Sequence, residues 1–143
     1  SQYSLKQCHK MFGKPFRGVS SAIIFNGANP LFHQIQPLSS RSGPWNFIIS
    51  GNFRHADMIS PILIALDKLD ADFTLHVVGP VLDTLKSELK RDYVNYHGIK
   101  SNRDLAEIMS GMDAYFFSAM NSPCPNALIE AVAAGLPVVG YAT

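Results

Sequence analysis

From Phe47 onward the chain alternates short apolar runs with amphipathic ones, and that alternation limits the folds open to it more than any other feature. The runs Phe47 to Ile49, Phe73 to Val78, Tyr93 to Tyr96, Ala114 to Phe117 and Pro137 to Tyr141 have the length and composition of strands. Helical patterns fill the gaps, over Pro61 to Leu69, Val81 to Leu89, Asn102 to Met109 and Pro125 to Ala134. Strand, helix and strand in succession imply parallel pairing through right-handed crossovers. The central runs are apolar on both faces, as expected of strands with helices on each side. The pattern therefore predicts an α/β fold, a doubly wound, Rossmann-like parallel sheet.

Local signals refine the elements. Ser60-Pro61 suits a cap and first turn, after which Ile62, Leu63, Leu66 and Leu69 form a buried stripe. Asn102 is expected to cap the third helix, with Leu105, Ile108 and Met109 facing inward. Upstream, Leu5, Cys8, Met11 and Phe12 have helical spacing within Ser4 to Phe12, and Gly13 and Pro15 end that run. Ala22 to Phe25 is a brief strand candidate leading to the turn dipeptide Asn26-Gly27. Ser39 to Pro44 has the composition of a loop ahead of a new domain core. The chain opens on Ser1 without a signal segment and stops at Thr143 just after an apolar strand, so it is expected to be an excised or truncated piece.

Twelve basic against eleven acidic side chains leave no nucleic-acid footprint and no polybasic membrane contact. No apolar run approaches the roughly eighteen residues of a membrane span. Cys8 and Cys124 lack the paired spacing of a zinc site and are expected to be reduced thiols of a cytoplasmic protein, with a disulfide the alternative.

The richest segment is Asn121 to Val139. Pro125 at a first helical position leaves the N–H groups of Asn126, Ala127 and Leu128 without intrahelical partners, so the helix end can receive an anion. Glu130 follows about one and a half turns in. Gly135 suits a left-handed stop, Pro137 forbids continuation, and Val138-Val139 are expected to start a buried strand. This is the layout of a nucleotide-sugar diphosphate site.

At these residues the chain resembles the C-terminal domain of retaining glycosyltransferases of family 4, which have the GT-B fold of two Rossmann-like domains. Their frame E-x-x-P-N-x-x-x-E-A-x-A-x-G-x-P-V-V is met here by Ser122-Pro-Cys-Pro-Asn-Ala-Leu-Ile-Glu130, then by Ala131, Ala133, Gly135, Leu136, Pro137, Val138 and Val139. The second Glu is Glu130, and Ser122 stands at the first. The resemblance implies that residues 1–20 end an N-terminal domain and 21–45 form an interdomain crossing. Residues 46–143 would be a partial nucleotide-sugar-binding domain, truncated before its sixth strand. It implies a hexosyltransferase-type parent that binds a nucleoside-diphosphate-sugar donor for retaining transfer to an acceptor hydroxyl on a glycan, lipid or small molecule. The missing N-terminal domain is the implied partner, no metal or cofactor is needed, and the fragment alone should not turn over. The expected location is cytoplasmic, or peripheral at the inner face of a membrane through the missing domain.

In an open parallel sheet the ligand lies beyond the carboxyl ends of the strands. Four loops qualify: Ser50 to His55, Gly79-Pro80, His97 to Lys100, and Ser118 to Pro125. By the resemblance, Gly51 opens a loop that carries two donor-neutralising cations, yet Asn52 and Asp57 occupy their positions. Arg54 is the nearby substitute, either a bidentate phosphate contact or a solvated loop charge; His55 is expected at the surface. Gly98, Ile99 and Lys100 match a segment whose backbone lines the nucleobase pocket, and an ordinary turn is the alternative. Glu130 is expected to accept hydrogen bonds from the ribose hydroxyls; a polar helix face is the alternative. Ser122 lacks the charge of the family's Glu; it is expected either to hydrogen-bond a sugar hydroxyl or, the favoured reading, to cap the turn before Pro123. Cys124 has no base beside it and is expected to serve packing or backbone spacing. Ser122, Asn52 and Asp57 together favour a second function, a non-catalytic nucleotide-sugar-binding or scaffold module.

Overall fold

Each of the five apolar runs forms a strand, and the sheet they build is parallel throughout. The computed structural model describes residues 26–35, 43–118 and 125–140. The expected helix Ser4 to Phe12, the strand Ala22 to Phe25, and Cys8, Ser122 and Cys124 lie outside the described residues. The strands are β1 (Trp45–Ser50), β2 (Phe73–Val78), β3 (Val94–Gly98), β4 (Ala114–Phe117) and β5 (Val138–Gly140), in the spatial order β3-β2-β1-β4-β5. The α-helices are α1 (Ser60–Leu66), α2 (Asn102–Ser110) and α3 (Asn126–Ala133).

Strand periodicity sorts the apolar side chains onto two faces. Ile49, Leu75 and Val77 pack with Ile59, Ile62, Leu63 and Leu66 of α1 and its lead-in, and with Leu85 and Leu89. On the other face Ile48, Val78 and Tyr115 pack with Ala106 and Met109 of α2, Ala131 and Ala134 of α3 and its end, and Phe32. Burying a side chain as completely as Leu63 stabilises the fold by about 2 kcal/mol. Helices on both faces make the sheet doubly wound. The direction of strand addition reverses between β1 and β4, which puts a crevice between their carboxyl ends.

Several local expectations need correcting. Val81 to Leu89 is not an α-helix; a 3-10 helix spans Asp83–Leu89. Val81 is taken into a bridge with Phe53, and the Leu82 amide donates to the Phe53 carbonyl at 3.0 Å, so the first two residues of the expected helix are held in strand-like pairing instead. Ser60 is the first residue of α1 rather than its cap, which is Ile59. The Ser60 hydroxyl instead donates to the Glu88 carboxylate at 2.5 Å. Leu69 is 45% exposed because α1 ends at Leu66, ahead of it. Val138 and Val139 are not buried, at 38% and 49% exposure, because β5 is the last strand of the described sheet.

Ser101, not Asn102, caps α2. Its hydroxyl accepts from the Asp104 amide at 3.2 Å while the Asp104 carboxylate accepts from the Ser101 amide, a complete capping box. Replacing Ser101 with alanine is expected to cost about 1 kcal/mol, read as a lower urea midpoint at unchanged slope. An unaltered midpoint would remove this role.

At the amino ends of the strands, away from the crevice, Asp67 clips the end of α1 to the approach to β3. It accepts from Arg91 Nε at 2.9 Å and from the Tyr93 hydroxyl. The Arg91 hydrogen bond, then that of Tyr93, hold the Asp67 carboxyl below its usual range.

Candidate functional site

A cavity of about 200 Å³ opens at the carboxyl ends of β1 and β4, where the strand order reverses. Ser50 to Phe53 form one wall, Phe116 to Ser118 another, and Pro125, Asn126 and Ala127 close it at the start of α3. Met58 and Tyr115 complete its floor.

The β1 wall is pinned by backbone. The Gly51 amide donates to the Val78 carbonyl at 3.0 Å, and the Phe53 amide to that of Pro80 at 2.9 Å. Phe53 itself is buried in the α1-side core. Gly79 has φ +122, and a Cβ built there would lie 1.9 Å from the Gly51 carbonyl oxygen. The two loops pass so closely that only a residue without a side chain fits.

The floor is tied to both strands. Tyr115 is 1% exposed, and its hydroxyl donates to the Ser50 carbonyl at 2.9 Å. Burial raises the Tyr115 pKa, the bonds to Ser50 oppose that, and the charge of Glu130 adds to it. Ser118, also buried, donates its hydroxyl to the Met58 carbonyl.

The α3 end differs from expectation in one respect. Pro125 is the cap, with extended φ −73 and ψ 119, rather than a first helical residue. Its carbonyl accepts from both the Leu128 and Ile129 amides at 3.2 Å, so Leu128 is already bonded. The amides of Asn126 and Ala127 are left at the open end of the helix, and both residues line the cavity. The Asn126 side-chain oxygen accepts from the amide nitrogen of Asn26 at 2.7 Å.

Glu130 lies one turn further along α3. It is partly buried, and that burial raises its pKa. It does not line the cavity, but its charge is felt at Tyr115, which does. Of the site residues expected in the β1 loop, Gly51 and Asn52 line the cavity. Arg54 is exposed beside them and donates from Nε to the Asn52 side-chain oxygen at 3.3 Å. His55 and Asp57 are exposed. No charged side chain is among the described residues lining the cavity.

Gly98, with φ +68, ends β3, and Ile99 and Lys100 follow it in exposed positions. β3 is the outer strand, separated from β1 by β2, so these residues are not brought to the cavity. Among the described residues no group of three or more His, Cys, Asp or Glu could hold a metal ion, and no helix is long and apolar enough to cross a membrane.

Tyr115, Met58 and Asn26 join the site without a clear mark in the sequence. A tyrosine inside a strand run is the signal for the first; the others are assembled by tertiary packing. A polar row on the sheet is equally unmarked. His76 Nδ1 lies 2.9 Å from His97 Nε2, and His76 Nε2 lies 3.3 Å from Asn46 Oδ1. Burial, then the charge of Lys100, lowers the His97 pKa.

A family model described as glycosyl transferases group 1 matches residues 31–143. No curated protein sequence matches the chain. Among solved structures, the apo form of the lipopolysaccharide outer core galactosyltransferase WaaB is similar at 16% identity and a TM-score of 0.65, over 95% of this chain and 40% of that one. WaaG, a glycosyltransferase involved in lipopolysaccharide biosynthesis, is similar at 22% identity and a TM-score of 0.69, over 95% and 41%. At these identities the likeness is one of fold, that of the Rossmann-like domains of GT-B glycosyltransferases. The chain spans about two fifths of either structure.

Proposed function

The chain belongs to the glycosyl transferases group 1 family, and from that premise we propose that it forms part of the donor-binding half of a retaining, family 4 hexosyltransferase. The observation that carries the reading is the cavity at the strand-order reversal, closed by the open end of α3. Its volume of about 200 Å³ suits a diphosphate and part of an attached ring rather than a whole nucleotide-sugar.

In this reading the Asn126 and Ala127 amides receive the diphosphate of a nucleoside-diphosphate sugar. The positive end of the α3 dipole favours that charge. Arg54, held beside the lip by Asn52, supplies the nearest cation from the β1 loop. As the sugar leaves for an acceptor hydroxyl, negative charge grows on the departing diphosphate, and preorganised donors lower the barrier. Glu130 holds the ribose. The donor is a substrate, and no resident cofactor or metal enters the scheme. The acceptor site belongs to the rest of the protein, so this chain alone binds without turnover. A cytoplasmic location, or attachment at an inner membrane face through the rest of the protein, goes with this proposal.

One observation favours a second reading, a non-catalytic nucleotide-sugar-binding module. The described cavity lining carries no charge, and Asn52 and Asp57 stand where the family resemblance expects cations.

Calorimetric titration of the chain with uridine and guanosine diphosphates tests the shared core of both readings. Saturable binding of at least one, lost on Ala127→Pro, is the expected result, because proline removes one of the two open amides. Absence of binding to either would sink both. Acceptor-dependent release of nucleoside diphosphate by the full-length protein then separates transferase from binding module.

A further inference from the structure

Asn26 and Asn126 lie a hundred positions apart, yet their side chains meet at the cavity lip. The Asn26 amide nitrogen donates to the Asn126 oxygen at 2.7 Å. A carboxamide is planar and two-ended, with an acceptor on one side and two donor hydrogens on the other. Once the Asn126 oxygen is committed to Asn26, what Asn126 can offer a ligand is its NH2 group.

The segment that brings Asn26 here is anchored independently. Phe32 is fully buried in the core under α2 and α3, and the Asn29 side chain accepts from the Leu31 amide to cap the 3-10 helix Pro30–Gln34. The Asn26 contact therefore comes at little additional ordering cost. The family match begins at residue 31, so Asn26 lies outside it.

Resting on the donor-site reading above, we propose that Asn26 is a positioning residue that fixes the amide orientation of Asn126, so that the lip presents hydrogen-bond donors to the diphosphate. With the opposite orientation Asn126 would turn its oxygen toward the anion, and the repulsion would offset the neighbouring backbone amides. A carboxylate at position 26 enforces that opposite orientation, because it can only accept and must draw the Asn126 NH2 group to itself. The test is a series of calorimetric titrations of the whole chain with uridine diphosphate, guanosine diphosphate and inorganic pyrophosphate.

Asn26→Ala frees the Asn126 amide and is expected to weaken diphosphate binding about threefold to tenfold. Asn26→Asp is expected to weaken it further, by more than roughly tenfold, with pyrophosphate affected at least as much as the nucleotides. Asn26 is exposed, and melting temperatures without ligand are measured alongside so that each affinity is read on folded protein. In the background of Asn126→Ala the Asn26→Ala change should have no further effect, since there is no amide left to orient. If the wild type binds and either Asn26 variant binds equally well, or if the Ala changes at 26 and 126 add independently, the positioning role is overturned and the donor reading stands. If the wild type binds none of the three probes, the donor reading falls and this inference with it.

Discussion

Replacing Gly79 with alanine is expected to destabilise the chain by more than about 3 kcal/mol and to abolish nucleoside-diphosphate binding by the protein that remains folded. Two effects coincide. The backbone at Gly79 has φ +122, which a side chain rarely tolerates, and the added Cβ would meet the Gly51 carbonyl oxygen at 1.9 Å. That contact is with backbone, not with a flexible side chain that could swing aside. The Gly51 carbonyl can retreat only by releasing the Gly51 amide from Val78, or the Phe53 amide from Pro80. Either movement displaces the wall formed by Ser50 to Phe53 and disturbs the bridge between Phe53 and Val81. Urea denaturation reads the first effect and titration under folding conditions the second. Alanine at 79 with a melting temperature like the wild type's would mean that the two loops do not approach as described. The Gly51→Ala change makes a useful contrast, because a Cβ there meets nothing within 4 Å, although its φ of +155 still carries some strain. It should cost less.

The second large effect is expected at Glu130, where one substitution should move stability and binding in opposite directions. Burial raises the pKa of this carboxyl above its usual value, so its charged form is disfavoured in the folded chain. A carboxyl whose folded pKa is raised lowers stability once ionised. That penalty is full above the folded pKa and vanishes as pH falls through it toward the unfolded value. Glu130→Gln should therefore raise the melting temperature at pH 7, and the gain should shrink as pH falls to about 4.5 and below. In the donor reading the same change removes a charged acceptor from the ribose hydroxyls, and affinity for uridine or guanosine diphosphate should drop about tenfold to a hundredfold. A carboxylate that merely decorated a solvated helix face would change neither quantity. Stabilisation with unaltered affinity would leave Glu130 a structural liability and strip it of the assigned contact.

Much of the fold was legible because it rests on short-range periodicity. The alternation of apolar and amphipathic runs identified the five strands of the described sheet, since residues such as Leu75 and Val77 must be apolar wherever β2 lies in a covered sheet. Helix ends were less legible. Ser60 and Asn102 both have capping chemistry, but which residue caps depends on competition with neighbours. Ser60 is drawn to Glu88, from a segment 28 residues away, and Ser101 wins at α2 through its reciprocal bond with Asp104. The segment before β3 had a helical pattern, yet its first residues are diverted into pairing with the Phe53 loop, a contact that no local window contains.

For the candidate site, the chain's own chemistry decided which groups are available: glycines at 51 and 79, a proline ahead of a helix, and one acid a turn beyond. Those properties depend on bonds within a few residues, so they are present before any folding. Tertiary structure alone decided which groups meet. The β1 loop joins the start of α3 because β4 adds beside β1 and not beside β3, and that same choice leaves Gly98 to Lys100 away from the cavity. It also set Tyr115 beneath Ser50 and brought Asn26 to Asn126. The physical reason is that strand order and register are settled by the simultaneous burial of both sheet faces, a global balance that no single segment carries.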